Sequence, residues 1–189
     1  MACLESRHAI CHTRYEMISI VVAIDKNNVI GHENKIPWKL KSDLVKLKKL
    51  TKGHTVILGR KTYESMVWYY NNSGRKMPGE TYIVVSRQDF QPASDRPETT
   101  KVAHSIPEAI EIAKQLGDED IFAIGGAGIF QEILPQTDRI YLTRVDTEAE
   151  GDVFFPIIDM QEWRELSIEH HPKDEKNDHD YDMVVLERI

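Results

Sequence analysis

The chain has 189 residues, enough for one domain with a substantial core, and its 41% hydrophobic and 29% charged content is ordinary for a soluble globular protein. A formal net charge of -7 argues against a general nucleic-acid binder. No run is apolar for the length of a membrane helix, and both cysteines, Cys3 and Cys11, fall in the first segment, so the body has no disulfide framework, as expected for a cytoplasmic protein.

Residues 1–16 lack the hydrophobic region of a signal peptide and read as an N-terminal extension, disordered or foreign to the fold, ahead of a single domain over 17–189. Cys3, His8, Cys11 and His12 match no familiar zinc spacing, and no metal is expected. Met17 leads into the apolar run of a strand over 18–24.

A helix over 41–50 follows. Leu40, Leu44, Leu47 and Leu50 recur at helical spacing, and Asp43 shares their face while Lys46, Lys48, Lys49 and Lys52 lie mostly on the other. Helix starts favour aspartate, so an ordinary first-turn carboxylate is one reading. The other is functional, because burying a carboxylate is costly unless a cation or hydrogen-bond donor meets it.

The strand over 54–58 enters a helix over 61–70 through Gly59-Arg60-Lys61-Thr62. N–H groups at that helix start can bind phosphate, helped by the Thr62 hydroxyl and two cations, although the order of residues is not that of a P-loop. A strand over 81–85 ends in Ser86-Arg87, a place for a further phosphate. Residues 91–100, rich in Pro, Ser, Thr and Asp, read as a surface loop before a strand over 100–103 and a helix over 107–115.

The strand over 120–124 contains Ile121-Phe122-Ala123-Ile124, a continuous apolar run suited to a parallel strand covered on both faces. It leads through Gly125-Gly126-Ala127-Gly128-Ile129 into a helix over 127–133. The glycines permit close backbone approach to a pyrophosphate, although the spacing is not G-x-G-x-x-G; a tight turn packed under a helix is the alternative. A strand over 139–145 and two near 163–169 and 181–188 complete the chain. The last two form an antiparallel hairpin whose tip, holding His170, His171 and His179 among charged residues, reads as solvated rather than metal-binding.

Apolar runs alternating with helices predict an α/β domain with a largely parallel sheet. Two phosphate cradles at strand ends, with Arg60 and Arg87, suggest a phosphorylated dinucleotide such as NADPH.

Taken together these residues resemble the dihydrofolate reductase family. The likeness runs from Met17 to the C-terminus through Val29-Ile30-Gly31, Pro37-Trp38, Leu40, Asp43-Leu44, Gly59-Arg60 with Thr62, Pro78-Gly79, Ile124-Gly125-Gly126, Tyr141-Leu142-Thr143, Glu150-Gly151-Asp152 and Phe155-Pro156. The resemblance implies an eight-stranded, mainly parallel sheet flanked by helices, with a C-terminal antiparallel hairpin. It implies NADPH-dependent reduction of 7,8-dihydrofolate to tetrahydrofolate, by a monomer acting on a small molecule with neither nucleic acid nor membrane as partner. Asp43, Trp38 and Thr143 would be catalytic: Asp43 on the pterin, Thr143 supporting it, Trp38 helping to hold a water. Val21, Leu44, Leu47, Met66 and Ile124 would line the folate pocket, with Asp43 and Thr143. Ala23, Ile30 and Gly31 would meet the nicotinamide side of the cofactor. Gly59, Arg60, Lys61, Thr62, Gly125, Gly126, Ala127, Gly128 and Ile129 would hold its phosphates, and Ser86 and Arg87 its 2′-phosphate. The Gly125–Gly126 peptide would be cis, and residues 31–38 would form a lid.

Two departures lie beside the folate tail. Glu80 stands where the family places an arginine that clamps the substrate's α-carboxylate, and residues 67–73 form an insertion carrying Trp68, Tyr69 and Tyr70. These aromatics read as packing of an extended helix end more than as ligand contacts, and tail recognition is expected to be weak or rebuilt. A same-fold reductase of another pterin or of a riboflavin-pathway pyrimidine is the closest alternative. A non-catalytic NADPH- or folate-binding protein is the alternative from another class.

Overall fold

The computed structural model describes residues 17–92 and 99–189. The expected N-terminal extension and its Cys/His group lie outside the described residues, as do residues 93–98 of the expected surface loop.

The strands are β1 (Met17–Ile24), β2 (Val29–Gly31), β3 (Thr55–Gly59), β4 (Thr81–Val85), β5 (Thr100–Ala103), β6 (Asp120–Gly125), β7 (Arg139–Val145), β8 (Val153–Phe154), β9 (Trp163–His171) and β10 (Tyr181–Arg188). The helices are α1 (Lys41–Leu50), α2 (Arg60–Ser73), α3 (Ile106–Gln115) and α4 (Ala127–Ile133), the last followed by a 3-10 turn over Leu134–Gln136. Eight strands form one sheet in the order β5-β4-β3-β6-β1-β7-β10-β9, while β2 and β8 pair as a separate ribbon. Pairing is parallel from β5 across to β7 and antiparallel through β10 to β9. The eight-stranded sheet with its closing hairpin is the architecture expected from the sequence.

Central strands are covered on both faces, which is why they read as unbroken apolar runs. Ile57 and Leu58 of β3, Ile83 and Val84 of β4, and Ile121 and Ala123 of β6 are fully buried. On one side α3 lays down Ile106, Ala109, Ile110 and Ala113. Its start is closed reciprocally: Ser105 Oγ accepts from the Glu108 N–H at 3.3 Å and Glu108 accepts from the His104 N–H at 2.7 Å. Chain order explains the site. After β1 the chain skips one place to lay down β3, β4 and β5, and only later inserts β6 between β3 and β1. The direction of winding therefore reverses beside β6, and such a switch point opens a crevice at the carboxyl ends of the strands.

Four findings depart from the sequence expectations. Helix α2 runs to Ser73 rather than residue 70, because Asn72 and Ser73 bond back to the Trp68 and Tyr70 carbonyls and Gly74, left-handed at φ 64°, makes the stop. The β2–β8 ribbon was not foreseen; strands of three and two residues are too short to show a periodicity. Helix α1 has no fully buried residue, since its leucine stripe faces a cleft instead of a sealed core. Finally, the β9–β10 tip is docked on α1 and not simply solvated. Leu40 at the N-cap offers no side-chain acceptor; instead Asn177 Oδ1 accepts from the Ser42 N–H at 3.1 Å and the Asp178 carboxylate accepts from the Lys39 N–H at 3.0 and 3.1 Å.

Candidate active site

The crevice predicted by strand order is a cleft of about 460 Å³, within the range of small-molecule sites. Val21, Val22 and Ala23 of β1 make its floor, with Ile124 and Gly125 at the end of β6. Asp43, Leu44 and Leu47 of α1 form one wall, Lys61, Thr62, Ser65 and Met66 of α2 another, and Gly126, Ala127 and Phe130 close the α4 side. Ile30 and Gly31 of β2, Val153 of β8 and the segment Asn34, Lys35 and Ile36 lie over the mouth.

Asp43 sits where α1 crosses the β7 edge of this floor. The hydroxyl of Thr143, a buried β7 residue, donates to Asp43 Oδ1 at 2.7 Å. The carboxylate opens onto the cleft yet has protein around most of it, so its anionic form is poorly solvated. Burial therefore pushes its pKa up from the ordinary carboxylate value, while the Thr143 hydrogen bond and the charge of Lys46 pull it partly back. Lys46 lies one turn along the same helix and is itself held below its ordinary value by burial, partly offset by Asp43 and by Glu169 of β9. It does not lie on the solvent side with the other lysines; the sequence pattern alone misplaced it.

The two glycine-bearing strand ends meet across the cleft. The Gly125–Gly126 peptide is cis and Gly125 has φ 134°, a backbone that L side chains rarely adopt. A Cβ on Gly126 would stand 3.3 Å from Thr62 Oγ1, so the α4 entry is packed closely against the α2 entry. The starts of α2 and α4 thus converge, with their N–H groups and Lys61 available to an anion.

The structure gathers Val21, Ala23, Ile30, Gly31, Asp43, Leu44, Leu47, Lys61, Thr62, Met66, Ile124, Gly125, Gly126 and Ala127 around one cleft. Other expected site residues stand back from it. Trp38 is buried with Leu40, Val145, Tyr181 and Met183, against Ala23. Gly59 and Ile129 pack on each other, a Gly59 Cβ falling 3.3 Å from Ile129 Cγ1. Gly128 is exposed, and Arg60 pairs with Glu64 at 3.1 Å. Ser86 is buried, its Oγ donating to the Gln88 carbonyl at 2.8 Å, and Arg87 is exposed next to it. His104 Nδ1 reaches the Ser86 carbonyl at 3.0 Å.

Val22, Ser65, Phe130 and Val153 line the cleft without having been singled out. Ser65 was discoverable, three residues after Thr62 on the same helix face. Val153 depends on the β2–β8 ribbon and carried no signal.

On the tail side, neither Glu80 nor Trp68, Tyr69 and Tyr70 lines the cleft. Trp68 is 69% exposed and borders a separate hollow with Tyr63, Glu64 and Phe90; Tyr69 and Tyr70 meet edge to face at 5.1 Å. Among the described residues no group of three or more His, Cys, Asp or Glu side chains is arranged to hold a metal ion, and no helix is long and apolar enough to cross a membrane.

Comparison with known proteins agrees with this geometry. A family model described as dihydrofolate reductase matches residues 17–188. The chain is 39% identical over 172 residues to the dihydrofolate reductase of Staphylococcus haemolyticus, covering 91% of this chain and 96% of that protein. It is 40% identical over 175 residues to that of Bacillus subtilis (strain 168), covering 91% and 95%. Among solved structures, dihydrofolate reductase from Enterococcus faecalis complexed with NADP(H) and RAB-propyl is similar with a TM-score of 0.76 and 34% identity, over 91% of this chain and 96% of that one.

Proposed function

The chain belongs to the dihydrofolate reductase family, and from that premise we propose that it reduces 7,8-dihydrofolate to 5,6,7,8-tetrahydrofolate with NADPH, Asp43 anchoring the pterin. One observation carries this reading: a carboxylate of raised proton affinity, held by Thr143 at 2.7 Å, faces two converging helix starts in the same cleft.

The cofactor's chemistry suits the residues present. Lys61, Thr62 and the N–H groups opening α2 and α4 would hold its phosphates, and the missing side chain at Gly126 lets Thr62 pack close to the α4 entry so that the two helix starts can act together. Ala23, Ile30 and Gly31 offer an apolar surface to the nicotinamide. When bound, NADPH supplies the hydride that is delivered to C6 of the pterin.

Asp43 orients the pterin by accepting hydrogen bonds from its edge, and Thr143 fixes the carboxylate rotamer. A group anchoring the far edge of the ring cannot itself reach N5. Water is therefore the immediate donor of the N5 proton, and Asp43 supplies polarisation and orientation. The segment 31–38 closes over the reacting centre and excludes bulk water. Its hold on the body is visible: the Asp152 N–H donates to the Gly31 carbonyl at 3.1 Å, and the Asp152 carboxylate accepts from the Glu33 N–H at 3.3 Å. The family match spans residues 17–188, and removing residues 1–16 should leave turnover unchanged.

The test is loss of NADPH absorbance on adding dihydrofolate, run beside Asp43→Asn. Saturable turnover that collapses in the variant supports the reading. Turnover of a riboflavin-pathway pyrimidine but not of dihydrofolate, or NADPH binding without turnover of either, overturns it.

A further inference from the structure

Asp25 carries a charge, is only 4% exposed and does not line the cleft. It stands just after β1, where the chain turns through residues 26–28 into β2. Its Oδ1 accepts from the N–H groups of Asn27 and Val29, each at 2.8 Å, the local turn that an aspartate side chain makes readily. Its Oδ2 makes a bond that the turn does not need: it accepts from the Ala149 N–H at 2.8 Å, 124 residues along the chain. Three backbone donors thus meet a carboxylate whose burial would otherwise be costly. Both ends of the segment 31–38 are referred to this side chain. Val29 opens β2, which delivers Ile30 and Gly31 to the cleft. Ala149 packs against the cluster that holds Trp38 and Leu40, where the segment ends. Three residues beyond Ala149, the Asp152 N–H donates to the Gly31 carbonyl at 3.1 Å and its carboxylate accepts from the Glu33 N–H at 3.3 Å. The Glu33 bond is exposed, so water competes for it, whereas the Asp25 carboxylate is withdrawn from solvent.

We propose that Asp25 is a positioning residue for hydride transfer: its two oxygens hold β2 and the segment 149–152 at one fixed spacing, and so hold the lid in place over the nicotinamide side of the cleft. The inference rests on the reading of residues 31–38 as a lid and of the cleft as the site of NADPH and dihydrofolate.

The role requires a carboxylate. Asparagine has the same shape but a single accepting oxygen, and whichever way its amide turns, the NH2 group meets an N–H donor. Two donors, Asn27 and Val29, lie on one side and Ala149 on the other. An asparagine that keeps the local turn therefore releases Ala149, and with it the segment that carries Asp152.

Amide hydrogen exchange, followed by NMR on the full chain without ligands, reads this anchor directly. In Asp25→Asn the protection of the Ala149 N–H should fall by about ten-fold or more, the size of a lost charge-assisted hydrogen bond. That of the Asp152 N–H should fall with it, while Val29 keeps its own. In single-turnover kinetics hydride transfer should be several-fold slower and NADPH should dissociate several-fold faster. Affinity for dihydrofolate should stay unchanged, because Leu44, Leu47 and Met66 approach the cleft from α1 and α2; a general loosening of the fold would move all three quantities. Asp152→Asn should slow hydride transfer in the unsubstituted background and much less in Asp25→Asn, since the two carboxylates act in series. Should Asp25→Asn fail to fold, Asp25→Ser keeps an acceptor for the local turn and is too short to reach Ala149. Unaltered Ala149 protection or unaltered hydride transfer in a folded variant, a matching loss of dihydrofolate affinity, or additive effects of the two substitutions would each overturn the proposal. Since the exchange measurement needs no turnover, a failure of the dihydrofolate reading would show separately, as an unsubstituted protein that does not oxidise NADPH with dihydrofolate.

Discussion

Asn177 caps a helix from 135 residues away: its Oδ1 accepts from the Ser42 N–H at 3.1 Å and its Nδ2 donates to Ser42 Oγ at 3.1 Å. The same Nδ2 donates to Asp174 Oδ1 at 2.9 Å, and Asn177 is 2% exposed. The hairpin tip thus supplies what Leu40 cannot, closing α1 at the residue before Asp43. Fold and chemistry meet at this cap, because the helix start that the tip secures is the one that aims the carboxylate.

Asn177→Ala removes one acceptor and two donated bonds from a buried position. Stability should fall by about 1–2 kcal/mol, the range for a lost cap and buried hydrogen bond. Hydride transfer should fall as well, since α1 loses the contact that sets its start. Urea unfolding and single-turnover kinetics check both. A variant with normal hydride transfer would show that α1 is held well enough by Thr143 and its leucines.

Asp43→Asn should do opposite things to activity and stability. The folded-state pKa of Asp43 is raised by burial, so the carboxyl's contribution to stability is best below the unfolded value and declines as pH rises through the folded one. Replacing it with a neutral side chain should therefore raise the urea midpoint near neutrality and leave it unchanged in acid below the ordinary carboxylate range. Hydride transfer in the unsubstituted enzyme should slow as pH rises through that raised value, because the proton that N5 must gain is then no longer held in the cleft. A flat profile of the isolated hydride step would count against the role assigned to Asp43.

Gly151→Ala tests the ribbon over the mouth. A Cβ there would collide with Val29 Cγ1 and lie 3.0 Å from the Gly31 carbonyl oxygen, and Val29 is 2% exposed. Neither backbone nor a buried valine yields that much, so β2 must move, carrying Ile30 and Gly31 with it. The expected cost is about 1–3 kcal/mol, as for other overpacked sites, with weaker NADPH binding if those residues meet the cofactor as proposed. Calorimetric Tm and fluorescence titration with NADPH measure the two effects. Unchanged values in both would mean that the ribbon is softer than its packing indicates.

How far the sequence leads depends on the length of the signal. The apolar runs of β3, β4 and β6 and the amphipathic α3 announce themselves because each spans a full period of its element, and the strand-to-helix junctions at Gly59 and Gly125 are visible for the same reason. Asp43 stands out as a charge on an apolar stripe. What stays hidden depends on distant partners: the two-residue β8, the docking of Asn177 on Ser42, and the half-buried placement of Lys46, which helical periodicity assigns to solvent. Even the leucine stripe misleads in part. Its spacing is that of a core helix, but Leu44 and Leu47 face the cleft instead of a packed protein layer.

Glu80 gives the sharpest specificity prediction. It stands exposed after Pro78-Gly79, its N–H donating to the His54 carbonyl at 3.0 Å, where Gly79 at φ 86° turns the chain into β4. At this position the family resemblance calls for an arginine facing the substrate's α-carboxylate, and a glutamate presents the same charge as the group to be bound. A charged hydrogen bond contributes about 1.5–3 kcal/mol, so Glu80→Arg should lower KM for dihydrofolate by about ten-fold or more. The kcat should hardly change, because the tail is remote from the reacting atoms and its binding is uniform between ground and transition states. Methotrexate, which carries the glutamate, should tighten by a similar factor, and trimethoprim, which lacks it, should not. Steady-state kinetics and inhibition constants for both proteins decide the matter: a KM that Glu80→Arg leaves in place, together with tight methotrexate binding by the unsubstituted enzyme, would mean that another cation already holds the tail.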